Sequence, residues 1–213
     1  MPKLKFPQYK VRGKHRDYYV VAFPNYPYMW PNYEKDDREY IIDTDAAGWQ
    51  QLRYAIAILL QAQDRIIYFP TKNNNRIYPW GDDYENYDMV LTVSGLHFRR
   101  SEWVRLRRQL KPANRVQNFA LSYKPEEIVA QAEKIAYDWH YWQLEKKMVK
   151  KVLGNSAFFC LPEKYYYNSF AASLDCEKWI QRNDLGSYIG KLGWMLPDKC
   201  IEKHCFCNEK YSI

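Results

Sequence analysis

The chain has 213 residues, of which 47% are hydrophobic, and 32 Lys and Arg against 25 Asp and Glu leave a net charge of +7. That length holds one large domain or two small ones and buries a core without needing a metal or a disulfide. The apolar content excludes a disordered tail. The 20 Tyr, 8 Trp and 9 Phe raise the aromatic share to 17%, the one unusual feature of the composition.

The longest apolar run, Ala55 to Leu60, is far short of the roughly 20 residues that a membrane span requires. Lys3 and Lys5 have no apolar stretch behind them, so the opening does not read as a secretory signal. The Cys count is odd, and Cys160, Cys176, Cys200, Cys205 and Cys207 all fall late in the chain. That is not the pattern of an extracellular disulfide framework. The expectation is a soluble, cytoplasmic protein in a reducing compartment, with no membrane partner.

In chain order, residues 18–23 predict a strand. From Phe23 to Tyr33 prolines alternate with rings, which predicts a stiff, extended loop because proline fixes φ and lacks a donor. Residues 39–43 predict a strand, and Thr44 or Asp45 caps a helix over 46–63. Trp49, Leu52, Ile56, Leu59 and Leu60 form its helical stripe. Strands follow at 65–69 and 89–93, separated by an Asn-rich loop and an acidic loop ending at Asp88. A short helix over 101–110 is buried through Trp103, Leu106 and Leu110, and 116–123 predicts another strand.

The longest predicted element is a helix over 125–153. Pro125 suits its first turn, Glu126 and Glu127 complement the dipole, and Gly154 suits the stop. Ile128, Ala132, Ile135, Trp139, Trp142, Val149 and Leu153 give it an apolar seam, which suits packing against other protein subunits or a crossing of both layers of its own domain. Beyond it come shorter pieces: one at 158–161, a Tyr165-Tyr166-Tyr167 run and a helix near 171–181. The fold class expected is α/β or α+β, a mixed sheet with flanking helices followed by a mainly helical C-terminal part built on one long helix. The division expected is 1–124 and 125–213, or one continuous domain.

Charge placement carries the leading functional signal. Arg99, Arg100, Arg105, Arg107, Arg108, Lys111 and Arg115 crowd one stretch with only Glu102 against them. Arg forks bind phosphate oxygens in pairs, and helix N-termini favour anions. The same stretch also reads as a solvated face paired with the acidic loop at Asp82, Asp83, Glu85 and Asp88, or as a docking face for an acidic protein. Lys147, Lys150 and Lys151 add charge at the end of the predicted long helix. Tyr28 and Trp30 in the Pro-aromatic loop, and Tyr165 to Tyr167, offer rings on which bases stack at ~1–3 kcal/mol each. The competing reading is that these rings cover a core edge.

An enzymatic alternative starts from Asp43 and Asp45 at a strand-to-helix junction, where a carboxylate pair holds Mg²⁺ for phosphoryl transfer or nuclease chemistry. Thr71, Lys72, Ser94 and His97 join that edge if the strands all run parallel. Capping alone also explains an Asp at a helix start. No nucleophile elbow, phosphate-binding glycine loop or zinc-protease helix is present in the sequence. Cys200, His204, Cys205 and Cys207 are soft donors within eight residues, but their spacing lacks the paired arrangement of a structural Zn²⁺ site.

The expectation is an intracellular nucleic-acid-binding protein, a non-enzymatic subunit of a nucleoprotein complex, with RNA or single-stranded DNA favoured. Its phosphate contacts are Arg99, Arg100, Arg105, Arg108, Lys111, Lys147, Lys150 and Lys151, and its stacking rings Tyr28 and Trp30. No cofactor is expected for that role. Mg²⁺ belongs to the alternative enzyme, and a structural assembly subunit is the third reading.

Overall fold

Alternation along the strands decides the architecture. In a strand, successive side chains point to opposite faces, and here both faces are apolar. The computed structural model describes residues 4–25, 29–34, 39–71, 87–93, 98–136, 149–183 and 188–190. Within them β1 (Leu4–Phe6), β2 (Gln8–Arg12), β3 (Asp17–Ala22), β4 (Met29–Glu34) and β5 (Glu39–Thr44) precede α1 (Ala46–Gln61). Then come β6 (Arg65–Phe69), β7 (Asp88–Val93), α2 (Arg100–Arg107), β8 (Phe119–Leu121) and α3 (Pro125–Ala136). The C-terminal elements are β9 (Val149–Leu153), β10 (Ser156–Leu161), α4 (Glu163–Asn183) and β11 (Tyr188–Gly190).

The main sheet has six strands in the order β2-β3-β6-β7-β10-β9. β3 runs parallel to β6 and β7 to β10, while the other neighbours are antiparallel. The mixed sheet with flanking helices is therefore as expected. One face carries Val21, Ile67, Phe69, Met89, Leu91, Ala157 and Phe159, which join the core under α1 and α4. The other carries Val20, Ile66, Val90 and Phe158, which pack with Trp103 and Leu106 of α2. Because both faces are covered, β7 and β10 are buried at every residue, as strands sandwiched between helices should be.

α1 is buried on nearly all sides. That position strands one charge, Arg53, inside the α1–α4 interface, where it pairs with Glu177 and donates to the Ser173 carbonyl at 3.3 Å. α4 is fixed to the sheet by the Tyr166 hydroxyl, which donates to the Thr92 carbonyl at 2.8 Å.

Several expected elements take a different form. The helix expected over 125–153 is not one helix: α3 is described over Pro125–Ala136, and Val149–Leu153 is strand β9, antiparallel to β10. Gly154 is not a helix stop. It sits at φ 66° in a two-residue Gly154-Asn155 turn between the paired residues Leu153 and Ser156. A Gly-Asn pair between two apolar runs is a hairpin signal, since only glycine adopts that φ at little cost. Residues 137–148, with Trp139, Trp142 and Lys147, lie outside the described residues. β9 and β10 complete a sheet begun before residue 124, so the C-terminal part contributes strands as well as helices.

The strand expected over 116–123 is reduced to β8, which pairs with β1 in a two-stranded sheet. The Pro-aromatic stretch contains strand β4, which is an edge of a three-stranded sheet with β5 and β11. An edge is where a strand tolerates Pro31, which has no N–H to give. α4 starts at Glu163, before the helix expected at 171, and so takes in Tyr165 to Tyr167. Tyr165 and Tyr166 are fully buried and pack in the main core. They are packing residues rather than stacking platforms.

Gly48 has no room for a side chain. A Cβ there would overlap Thr44 Oγ1 and stand 2.8 Å from Thr44 Cβ, and Thr44 is itself buried. Gly48→Ala should therefore destabilise, although alanine is the better helix former. The expected loss is about 1–3 kcal/mol, at about 2–4 °C of melting temperature per kcal/mol in a chain of this size. Adding Thr44→Ala should recover part of it, and thermal denaturation of the double-mutant cycle checks both.

Candidate nucleic-acid interface

α2 is seated by its apolar side. Trp103 and Leu106, three apart, are buried. The Trp103 indole N–H donates to Ser156 Oγ at 2.9 Å, and its ring meets Phe158 edge-on with centroids 5.0 Å apart. Tyr68 and Phe98 complete the contact at 5.8 and 6.2 Å. With that side fixed, Arg99, Arg100, Arg105 and Arg108 are exposed, as is Lys111 beyond the helix. None of the five forms an ion pair with a described carboxylate.

Arg107 is the exception in the cluster. Its guanidinium reaches back over the sheet to Asp88 at 2.9 Å. Asp88, 5% exposed, also accepts from the Tyr68 hydroxyl at 2.8 Å and from the Thr71 N–H at 3.0 Å. A buried carboxylate needs such partners, because unpaired it would carry most of its desolvation cost. Thus the expected pairing between the basic stretch and the acidic loop is seen, among the described residues, between Arg107 and Asp88. Asp82, Asp83 and Glu85 lie outside the described residues.

The remaining sequence candidates are dispersed. Arg100 lies against the β9–β10 turn, where a Cβ on Gly154 would be 3.8 Å from Arg100 Nε. Lys150 and Lys151 are on β9 opposite Phe159 and Phe158. They are therefore strand residues, not the basic tail of a helix. Trp30 is on β4, paired in register with Asp43, and Tyr28 lies outside the described residues.

Asp45 caps α1, its Oδ1 accepting from the Gly48 N–H at 2.8 Å. Asp43 sits in the separate three-stranded sheet, in register with Ile189 as well as Trp30. β6 and β7 are antiparallel, with Phe69 opposite Met89 and Ile66 opposite Thr92. The Thr71 end of β6 and the Val93 end of β7 therefore leave the sheet at opposite edges. The all-parallel arrangement that would gather Thr71 and His97 at one edge is not formed. Lys72, Ser94 and His97 lie outside the described residues, as do Cys200, His204, Cys205 and Cys207. Among the described residues no group of three or more His, Cys, Asp or Glu could hold a metal ion, and no helix is long and apolar enough to cross a membrane.

One feature of the surface has no counterpart in the sequence reading. Gln109, just past α2, bonds the backbone of Arg12 in both directions: its Oε1 accepts from Arg12 N–H at 2.9 Å, and its Nε2 donates to the Arg12 carbonyl at 3.1 Å. The β2–β3 hairpin therefore lies beside the end of α2, with exposed Arg12, Lys14, His15 and Arg16 at its tip. The segment after α2 continues along β2, with the Val116 N–H donating to the Gln8 carbonyl at 2.9 Å. The local signal was a cation at every second position from Lys10 to Arg16. Nothing in the sequence ties those residues to others 97 positions away.

No protein family, curated protein or solved structure matches the chain.

Burial, and then the neighbouring Asp88 charge and its hydrogen bond, push the Tyr68 phenol above its ordinary value of 10, with Arg107 opposing. Burial does the same to Tyr166. The folded chain keeps these protons at a pH where the unfolded chain loses them, so their contribution is intact below about pH 10 and is lost as pH rises beyond it. Tyr68→Phe should cost about 1–3 kcal/mol near pH 7 through the lost bond to a charged acceptor. The gap to wild type should narrow above pH 10, as thermal melts at pH 7, 9 and 11 will show.

Proposed function

We propose that this chain binds nucleic acid through its phosphates, as a non-enzymatic subunit of a nucleoprotein complex. Arg99, Arg100, Arg105, Arg108 and Lys111 make the contacts. The observation that carries the reading is that α2 turns one arginine inward to a carboxylate and leaves five neighbouring cations exposed without such a partner among the described residues. Guanidinium forks grip phosphate oxygens in pairs and lose little water in doing so. Neutralising phosphates releases counterions, which supplies affinity independent of sequence.

The preference for RNA or single-stranded DNA rests on Tyr28 and Trp30 as stacking rings, since Tyr165 and Tyr166 are committed to the core. The test is fluorescence anisotropy with labelled single-stranded and duplex RNA and DNA across a salt series, in the presence of EDTA. These five phosphate contacts contribute about −4.5 to the slope of log K against log salt for duplex DNA and about −3.5 for single strands. Absence of binding at low salt overturns the reading. Equal competition by polyglutamate also overturns it, in favour of an acidic protein partner.

Replacing Arg105 and Arg108 together by Ala should weaken binding and reduce the duplex slope by about 1.8. The melting temperature should stay nearly constant, because substitutions of exposed side chains usually change stability by no more than about 0.5 kcal/mol.

A further inference from the structure

The β2–β3 hairpin carries an excess of positive charge that its own fold does not use. From Lys10 to Asp17 it holds Lys10, Arg12, Lys14 and Arg16 against one acid, Asp17. Lys10 takes that acid, with Nζ 3.0 Å from Asp17 Oδ2. Arg16 lies over the ring of Tyr18 at 5.0 Å from its centroid, and Tyr18 belongs to the core on the α2 side of the sheet. Arg12, Lys14 and Arg16 are exposed and form no ion pair with a described carboxylate.

Val11 and Tyr18 of the hairpin share one core with Trp103 and Leu106 of α2, and Gln109, just past the helix, adds a polar tie to the tip. The Gln109 amide spends its donor and its acceptor on Arg12, and also approaches the Arg105 carbonyl at 3.4 Å. An amide that bonds both the N–H and the C=O of one residue fixes that residue in orientation as well as position. Arg12 is thereby held at the end of the helix that exposes Arg105 and Arg108. Like charges brought together this way repel one another, and a polyanion that spans both elements relieves the repulsion.

We propose that the hairpin tip is a second arm of the phosphate-binding surface, contacting nucleic acid through Arg12, Lys14 and Arg16, and that Gln109 is the positioning residue that joins the two arms. The proposal rests on the nucleic-acid reading above and extends the surface from one helix to two elements. The probes are a labelled 20-base-pair DNA duplex and a 20-nucleotide single-stranded RNA.

In the full chain, the triple variant Arg12→Gln, Lys14→Gln, Arg16→Gln should lower the duplex slope by about 2.7 and the single-strand slope by about 2.1. Lys14→Gln alone, at the turn, should lower the duplex slope by about 0.9 and keeps the test open if the triple variant misfolds. Gln109→Ala should weaken binding severalfold with every cation still present. In the hairpin-neutralised background the same change should have no further effect, because Gln109 acts only through the arm it holds. A generally destabilising role would instead make the two losses additive, which would overturn the positioning role. If Arg105→Ala with Arg108→Ala lowers the slope while the hairpin variants leave it unchanged, the second arm is wrong and the nucleic-acid reading survives. If the wild-type chain binds neither probe at low salt, both are wrong.

Discussion

The seating of Trp103 on the sheet is the interaction on which the basic surface depends. α2 is only eight residues long, too short to hold as a helix in water by itself. Burying an indole removes on the order of 200 Å² from water, or about 5 kcal/mol at 25 cal/mol per Å². Two like charges about 10 Å apart in water repel by only about 0.4 kcal/mol. One buried ring therefore outweighs the mutual repulsion of the arginines around it. The hydrogen bond from the indole to Ser156 fixes the rotation of the helix as well, since another rotation would leave a buried N–H without its partner.

Rotation then sorts the cations. Positions 103 and 106 face the sheet, so 105 and 108 face away, and 107 falls at the border where its side chain can reach Asp88. The Asp88 carboxylate gathers Tyr68 from β6, the Thr71 backbone beyond it and Arg107 from α2. Those groups hold the start of β7, the end of β6 and the helix above them in one arrangement. Arg107 is thus a structural member of a cluster that the sequence presents as uniform, and the difference is one of angle around the helix.

Much of the fold was legible because its signals are local. The 65–69 strand and the α1 stripe of Trp49, Leu52, Ile56 and Leu59 lie where periodicity puts them, and Asp45 caps as a short acidic side chain before a helix does. The errors arose where two local readings compete. Val149 to Leu153 continues the 3.5-residue seam of α3 yet also suits a strand, and pairing with β10 across Gly154-Asn155 decided for the strand. Tyr165 to Tyr167 favour an extended chain by propensity, but on α4 Tyr165 and Tyr166 fill the core, where a large ring gains most from burial.

By itself the sequence determined the elements with strong periodicity, the excess of positive charge and its concentration between Arg99 and Arg115. Those are sums and local patterns, and they need no knowledge of which segments meet. Only the tertiary structure decided that β6 and β7 run antiparallel, which separates the Thr71 edge from the edge beyond Val93. It alone decided that Arg107 turns inward and that Gln109 brings Arg12 beside α2. Each of these depends on partners tens of residues apart, and such pairings are chosen by how the whole core packs rather than by any stretch of chain.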